Sequence, residues 1–448
     1  MKLLSITAQK PHSTGSGVYL TELVKALQRR RVSQAVVSGI YREDVREFET
    51  EIRHYPVWFQ EDIPYPIVGM SDEMPYPSTR YKDMDEEMTA QFLQGFRRRI
   101  FQAVTEFQPD VILCHHLYFL TSLVREWFPQ KRIYGFCHNT DLLQLRQTAF
   151  QKERILTQIR KLDGIFALHE EQKKEIAGMF GVETEKIQVV GAGYNSHIFY
   201  TEGDGPAGGR PEDGKLRLVF AGKISEKKGV KSLLRSLCYL KEEAYPLEVL
   251  LAGGAGSEKE YEEIRKLAEK APYPVRFLGK LPQEELAEVY RKGDVFVLPS
   301  FAEGLPLCVI EALACGSRVV LSEFEGVRQW LDTYVRQGDI RYVKLPAQGE
   351  QARPEELARF ERDLAKQIRE SLNHPQKGRA DTGEISWDRI AEKVMEAVAS
   401  QNSAAEPGGE SGISGCLKTL PGKGLREQPL KAGTKKRRDR RWKKKGTE

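Results

Sequence analysis

The sequence predicts an α/β protein made of two Rossmann-like, doubly wound domains that face each other across a cleft. Three observations predict it. Short apolar runs alternate with amphipathic segments along nearly the whole chain, the β-α-β rhythm of a parallel sheet. That rhythm breaks once, at the polar stretch 201–214, "TEGDGPAGGRPEDG", and then restarts. The 448 residues exceed what one core holds and suit two domains of roughly 150–200 residues each.

In chain order, "KLLSIT" reads as a buried strand, too short and polar for a signal peptide. "GVYLTELVKALQRR" is an amphipathic helix and "AVVSGI" the next strand. The proline-rich region 41–95 is expected to be an irregular insertion over the sheet. "PDVILCHH", "TSLVREWF", "RIYGFCHN", "RKLDGIFALH" and "KIQVVGAG" complete a domain over 1–200. The second domain, 215–380, repeats the pattern from "LRLVFAG" through "LEVLLAGG", "VRFLGKL" and "DVFVLPS" to "RVVLSEF". A late amphipathic segment, "EISWDRIAEKVMEAVASQ", follows.

The net charge of +5 resides in one place. Residues 401–448 hold 13 Lys/Arg against 5 Asp/Glu, so the remaining 400 residues carry a net −3. The Gly-, Pro- and Lys/Arg-rich tail is expected to be disordered. It is either a solvated tail or a weak contact for nucleic acid or a membrane surface through charge alone. No run approaches the ~20 apolar residues of a membrane span. The six cysteines (114, 137, 238, 308, 315, 416) form no CxxC pair, which suggests reduced thiols in a cytoplasmic protein, peripheral at the inner membrane surface if the tail binds there.

Ligands of doubly wound sheets bind beyond the carboxyl ends of the strands, so the strand-to-helix loops hold the candidate residues. In "SFAEGLPLCVIEALACG", Glu303 lies in the turn after a strand, and Pro306 suits the first helical position. Glu311 is then about 7.5 Å along the helix. The amides of Leu307 and Cys308 open the first turn, where an anion such as a phosphate is favoured. Carboxylates on either side of an anion site suit sugar hydroxyls, which donate strong hydrogen bonds to them. Lys223 and Lys228 in "AGKISEKKGV" can neutralise two phosphates. Gly15 and Gly17 in "TGSGVYL", and Gly253 and Gly254 in "LLAGGAG", allow close backbone approach, though neither stretch is a GxGxxG or a P-loop. His115 and His116 line a strand end or simply pack there. Asp83-Met84-Asp85 follows no buried strand and reads as an acidic helix start rather than a metal motif.

Together these stretches resemble the family 4 glycosyltransferases, retaining enzymes of the two-Rossmann-domain GT-B type. "GKISEKKG", "LLAGGAGSE", "VRFLGKLPQEELAEVY", "GDVFVLPS" and the E-x7-E of Glu303 and Glu311 carry the resemblance. "TGSGVYLTELVKAL", "PDVILCHHL", "YGFCHNTD" and "KIQVVGAGYNSHIF" extend it to about 390 of the 448 residues. The resemblance implies that Glu303 contacts the transferred sugar, Glu311 the ribose, and Lys223 and Lys228 the diphosphate. It implies that Gly17 meets the diphosphate through its amide, and that His138 lies near the donor sugar. Lys223 stands where the family more often has Arg, Asn195 replaces an aspartate, and "EGVRQW" replaces the usual glycine pair after Val320. The segment 384–400 resembles the family's terminal helix, which crosses back to the first domain. The implied activity is metal-independent and needs no cofactor: a sugar moves from a nucleoside-diphosphate sugar to an acceptor hydroxyl with its anomeric configuration retained. Two alternatives stand beside it, a nucleotide-sugar epimerase or hydrolase on the same fold, and a non-catalytic nucleotide-sugar binder.

Overall fold

The computed structural model describes residues 1–400 except 45–47, 49–51, 73, 202–213, 244 and 374–379. The basic tail and nearly all of the expected linker therefore lie outside the described residues. Two parallel sheets organise the rest. The first contains β1 (Lys2–Thr7), β2 (Ser33–Ile40) and β3 (Arg53–Trp58). After two short paired segments, β4 (Val68–Gly69) and β5 (Thr79–Arg80), it continues with β6 (Val111–His115), β7 (Arg132–Phe136), β8 (Gly164–Ala167) and β9 (Ile187–Val189). The strand order is β3-β2-β1-β6-β7-β8-β9. The second sheet contains β10 (Leu216–Ala221), β11 (Leu247–Ala252), β12 (Val275–Gly279), β13 (Val295–Leu298), β14 (Arg318–Ser322) and β15 (Ile340–Val343), in the order β12-β11-β10-β13-β14-β15.

In each sheet the chain winds outward one way and then jumps to the other side of its first strand. The reversal falls between β1 and β6, with Ile6 beside Cys114, and between β10 and β13, with Val219 beside Phe296. At such a reversal adjacent loops part to opposite faces and leave a crevice. The loops after β1, β10 and β13 hold the "TGSG", "GKISEKKG" and "AEGLP" segments, and "HH" straddles the end of β6.

Local chemistry explains the elements that frame these crevices. The helix Gly15–Arg29 starts because the Thr14 side chain accepts from the Gly17 amide at 3.1 Å, and it buries Tyr19, Leu20, Leu23, Val24 and Leu27 on one broad face. Burying each large apolar side chain contributes on the order of 1.5–3 kcal/mol. The last helix, Trp387–Ser400, packs against it. The Tyr19 and Trp387 rings meet edge-on at 4.8 Å, and Arg29 pairs with Asp388 at 3.0 Å.

The region 41–95 is not wholly an insertion. Residues 53–58 form an edge strand of the first sheet, with Val37 beside Tyr55. Pro56, which reads as a strand breaker, is tolerated because β3 pairs only with β2. Asp85 caps the helix Glu86–Phe107, its side chain accepting from the Met88 amide at 2.8 Å, and Asp83 pairs with Arg80. No described helix is long and apolar enough to cross a membrane.

Candidate functional site

The turn after β13 carries Glu303, and the loop after β10 carries Lys228. Their side chains meet: Lys228 Nζ lies 2.6 Å from Glu303 Oε1. Glu303 is 9% exposed and Lys228 31%, so the pair sits at the cleft wall rather than in bulk water. Burial opposes the Lys228 charge, but the Glu303 carboxylate outweighs it and holds the ammonium pKa above its ordinary value. Gly229 makes the approach possible. It adopts φ 74°, and a Cβ there would fall 1.9 Å from the Pro299 carbonyl oxygen.

Lys223 reaches across the loop after β11, where a Cβ on Gly256 would come within 2.4 Å of its Cε. Gly253 and Gly254 serve the same junction. The Gly253 amide donates to the Gly279 carbonyl at 2.7 Å, and the Gly254 carbonyl accepts from Ile224 at 2.9 Å. The Gly253 amide is therefore engaged within the protein. The Gly17 amide is likewise taken by Thr14, and a Cβ on Gly17 would strike the Lys10 carbonyl at 2.6 Å. Gly15, by contrast, is exposed, with nothing within 4 Å of a Cβ there.

The helix Leu307–Ala314 begins one residue after Pro306, which occupies the cap with ψ 107° instead of the first helical position. A proline cap provides no side-chain acceptor for the first-turn amides of Leu307 and Cys308. Burial pushes the Cys308 thiol up, and Glu303 and Glu311 reinforce this while Lys228 opposes it, so these four groups share one electrostatic neighbourhood.

Glu311 is buried, and its carboxyl is pushed up to about 8, by burial first and then by Glu22. Glu22 belongs to the helix Gly15–Arg29 of the first lobe and is 1% exposed. Lys25 Nζ lies 3.6 Å from its Oε1. The residue pattern of that helix marks position 22 only as part of a turn, so its electrostatic effect on Glu311 was not legible. The folded protein binds a proton at Glu311 that an unfolded chain, with the ordinary value of 4.5, would release. Stability is therefore full below about 4.5 and is lost as pH rises through about 8. Thermal denaturation of the ligand-free protein is expected to give a lower Tm at pH 9 than at pH 6, with Glu311→Gln flattening the slope; equal slopes in both proteins would contradict this.

On the first lobe, His138 follows β7. Its Nε2 lies 3.2 Å from His115 Nδ1, and the two rings stack at 5.4 Å. Burial, with His116 adding to it, pushes His138 down to about 3, so it faces the cleft uncharged. Its neighbour Asn139 reaches the second lobe, where Nδ2 donates to the Glu303 carbonyl at 3.4 Å and a Cβ on Gly304 would lie 3.2 Å from Asn139 Cβ. The structure thus brings Glu303, Lys228 and Cys308 to one place, with His138 one residue from the Asn139 that touches the Glu303 turn. The "EGVRQW" helix, Glu325–Tyr334, packs on the first lobe through Gly326 against His169 and Trp330 against Gly191. Asn195, in place of the usual aspartate, still organises its turn, its Oδ1 accepting from the His197 amide at 3.1 Å.

Comparison with known proteins agrees with this geometry. Residues 13–197 match the Glycosyltransferase Family 4 model, and residues 206–346 match the Glycosyl transferases group 1 model. A D-inositol 3-phosphate glycosyltransferase of Streptomyces bingchenggensis is 33% identical over 179 residues, 37% of this chain and 39% of that protein. One of Thermomonospora curvata is 33% identical over 195 residues, 40% and 44% of the two chains. The chain thus spans about two fifths of the length of the curated relatives it matches. Among solved structures, sucrose-phosphate synthase from Thermosynechococcus elongatus superposes with TM-score 0.63 at 18% identity, over 90% of this chain and 100% of that one. Anabaena Alr3699/HepE, solved in complex with UDP-glucose, gives 0.59 at 14%, over 89% and 100%. With both halves matched by family models and the two-sheet architecture shared with these structures, the chain belongs to the family 4 glycosyltransferases and has their GT-B fold.

Proposed function

We propose that the protein transfers a sugar from a nucleoside-diphosphate sugar to an acceptor hydroxyl with retention of anomeric configuration, without a metal. The observation that carries this reading is the Glu303–Lys228 pair, held at 2.6 Å beside the helix start at Leu307 and at the strand reversal of the second sheet. Residues 215–380 form the donor side, and residues 1–200 with the helix Trp387–Ser400 form the acceptor side. The UDP-glucose held by the Anabaena protein supports a nucleotide-sugar donor.

Each residue then has a role. Lys223, Lys228 and the amides of Leu307 and Cys308 neutralise the departing diphosphate as its charge develops. Glu303 accepts hydrogen bonds from the sugar and Glu311 from the ribose. Gly15 offers open backbone on the opposite lobe. His138, uncharged, lines the sugar pocket as a hydrogen-bonding ring. The acceptor hydroxyl attacks on the face from which the diphosphate leaves. The new glycosidic C–O bond forms as the sugar–phosphate bond breaks, and a phosphate oxygen takes the acceptor's proton.

The test is to incubate the protein with UDP-, GDP- and ADP-sugars and a panel of hydroxyl acceptors, with the product read by NMR. The expected result is an acceptor-dependent glycoside with the donor's anomeric configuration. Epimerised or hydrolysed donor in the absence of acceptor, or an inverted product, would overturn the reading.

A further inference from the structure

The transfer chemistry leaves one side-chain cluster of the first lobe unused. Asp141, wholly buried, presents Oδ1 to His116 Nδ1 at 2.5 Å. His116 Nε2 lies 3.0 Å from Ser16 Oγ, and Ser16 Oγ lies 3.0 Å from Thr14 Oγ1. Three parts of the chain, at 16, 116 and 141, therefore form one hydrogen-bonded line. His116 holds φ 74° and Asn139 φ 69°, left-handed conformations that side chains with a Cβ keep only when surrounding contacts impose them, as happens at functional sites.

The proton positions follow from the partners. Asp141 Oδ2 accepts from the amides of Leu117 at 2.9 Å and His138 at 3.1 Å, and Oδ1 faces the imidazole. Burial alone would raise the Asp141 pKa, but His116 and these bonds outweigh it, so the carboxylate is ionised. An ionised acceptor fixes the ring with its proton on Nδ1 and leaves Nε2 toward Ser16. When Nε2 is bare it accepts the Ser16 O–H as a hydrogen bond, and the hydroxyl has no proton to offer elsewhere. When Nε2 is protonated it donates to Ser16 Oγ, and Ser16 turns its own O–H outward.

The line opens on the cleft. Ser16 adjoins the exposed Gly15, and the His116 ring lies 4.8 Å from His138, whose neighbour Asn139 touches the Glu303 turn. An Asp-His-Ser order also suggests a hydrolytic triad. Such a site needs free backbone amides aimed at an oxyanion beside the serine, and here the next amide, that of Gly17, is bound to Thr14. The line is built to move a proton, not to form an ester.

We propose that Ser16, His116 and Asp141 form a proton-coupled anchor for the donor's diphosphate. This rests on the functional reading above, which places that dianion in the cleft. On binding, one proton from solvent attaches to His116 Nε2, the ring donates to Ser16 Oγ, and Ser16 donates its O–H to a phosphate oxygen. Only N–H and O–H bonds change. The groups facing the ring are His115 beside it, His138 after β7, Asp141 on the following helix and Ser16 on the first. Burial holds His115 and His138 neutral, so Asp141 is the one ion among them that can balance the new imidazolium.

Isothermal titration calorimetry with UDP-, GDP- and ADP-glucose tests this, in buffers of different ionisation enthalpy at pH 6.5 and pH 9. The diphosphate diesters of these probes do not titrate there, but uracil and guanine begin to lose a ring proton near pH 9 whereas adenine does not. Glu311 also titrates in the range, so the readout is the difference from wild type with the same probe. At pH 6.5, His116→Gln is expected to bind with about one proton fewer taken up. Ser16→Ala, at the cleft surface, is expected to bind roughly tenfold more weakly at pH 6.5 and unchanged at pH 9, because only the low-pH setting turns the hydroxyl outward. An unchanged proton count in His116→Gln, or an equal affinity loss at both pH values in Ser16→Ala, would overturn the anchor while leaving the transferase reading intact. Failure of all three nucleotide sugars to bind the wild-type protein would overturn both.

Discussion

Lys228→Ala is expected to lower kcat/KM for sugar transfer by about 10²–10³, with most of the loss in kcat. In the proposed reading the ammonium stands beside the carboxylate assigned to the sugar, which puts it where the bond to the diphosphate would break and charge would develop. Removing it also leaves Glu303, which is 9% exposed, without its cation. Glu303→Gln keeps the shape and removes the charge, and a loss of similar size is expected. The two side chains touch, so the double variant should lose far less than the product of the single losses. Steady-state kinetics of the three variants checks this. Full activity in both single variants, or strict multiplicativity in the double, would contradict the shared role.

The largest expected effect on stability is Gly229→Ala. A Cβ there would sit 1.9 Å from the Pro299 carbonyl oxygen and 2.5 Å from its carbon, and the residue holds φ 74°. Backbone rather than a side-chain tip opposes the methyl, so the loop after β10 and the turn after β13 must separate. A left-handed conformation forced on alanine adds about 1–2 kcal/mol to that displacement. A total of about 3–5 kcal/mol is expected, lowering Tm by roughly 10 °C. Gly253→Ala, with φ 142° and a Cβ 1.7 Å from the Gly222 oxygen, should behave alike. Gly15→Ala, with nothing within 4 Å of its Cβ, is the control and should change stability by less than about 0.5 kcal/mol. Thermal denaturation of the three decides it; a Gly229→Ala protein as stable as Gly15→Ala would contradict the packing described.

These two predictions use different kinds of sequence information. The pairing of "EKKG" with "AEGLP" was legible because both segments follow strands of a doubly wound sheet, whose reversal brings such loops together. The glycines were legible as places of close approach, but a glycine does not say what approaches it. At Gly229 it is the Pro299 carbonyl, at Gly17 the Lys10 carbonyl, and at Gly256 the Lys223 stem. The Gly17 amide, which the resemblance aims at the diphosphate, met a more local competitor in the Thr14 hydroxyl, and the Gly253 amide at its strand end is taken by the Gly279 carbonyl.

What the sequence hid is mostly tertiary. Edge strand β3 was masked by Pro56, since composition does not reveal which strand has a free edge. Glu22 is one carboxylate on an amphipathic helix, and helical spacing cannot say that its charge reaches Glu311 on the other lobe. Ser16, His116 and Asp141 lie 100 and 25 residues apart in sequence, and only the winding of β1, β6 and β7 joins them.

The most direct measurement is a crystal structure of the protein with the nucleotide sugar that it turns over. The diphosphate is expected between Lys223, Lys228 and the first turn of Leu307–Ala314, the sugar hydroxyls on Glu303, the ribose on Glu311, and the 2.6 Å contact of Lys228 lengthened as its charge is shared with phosphate. A nucleotide bound elsewhere, with Glu303 and Lys228 still closed on one another and Glu311 touching no hydroxyl, would contradict it.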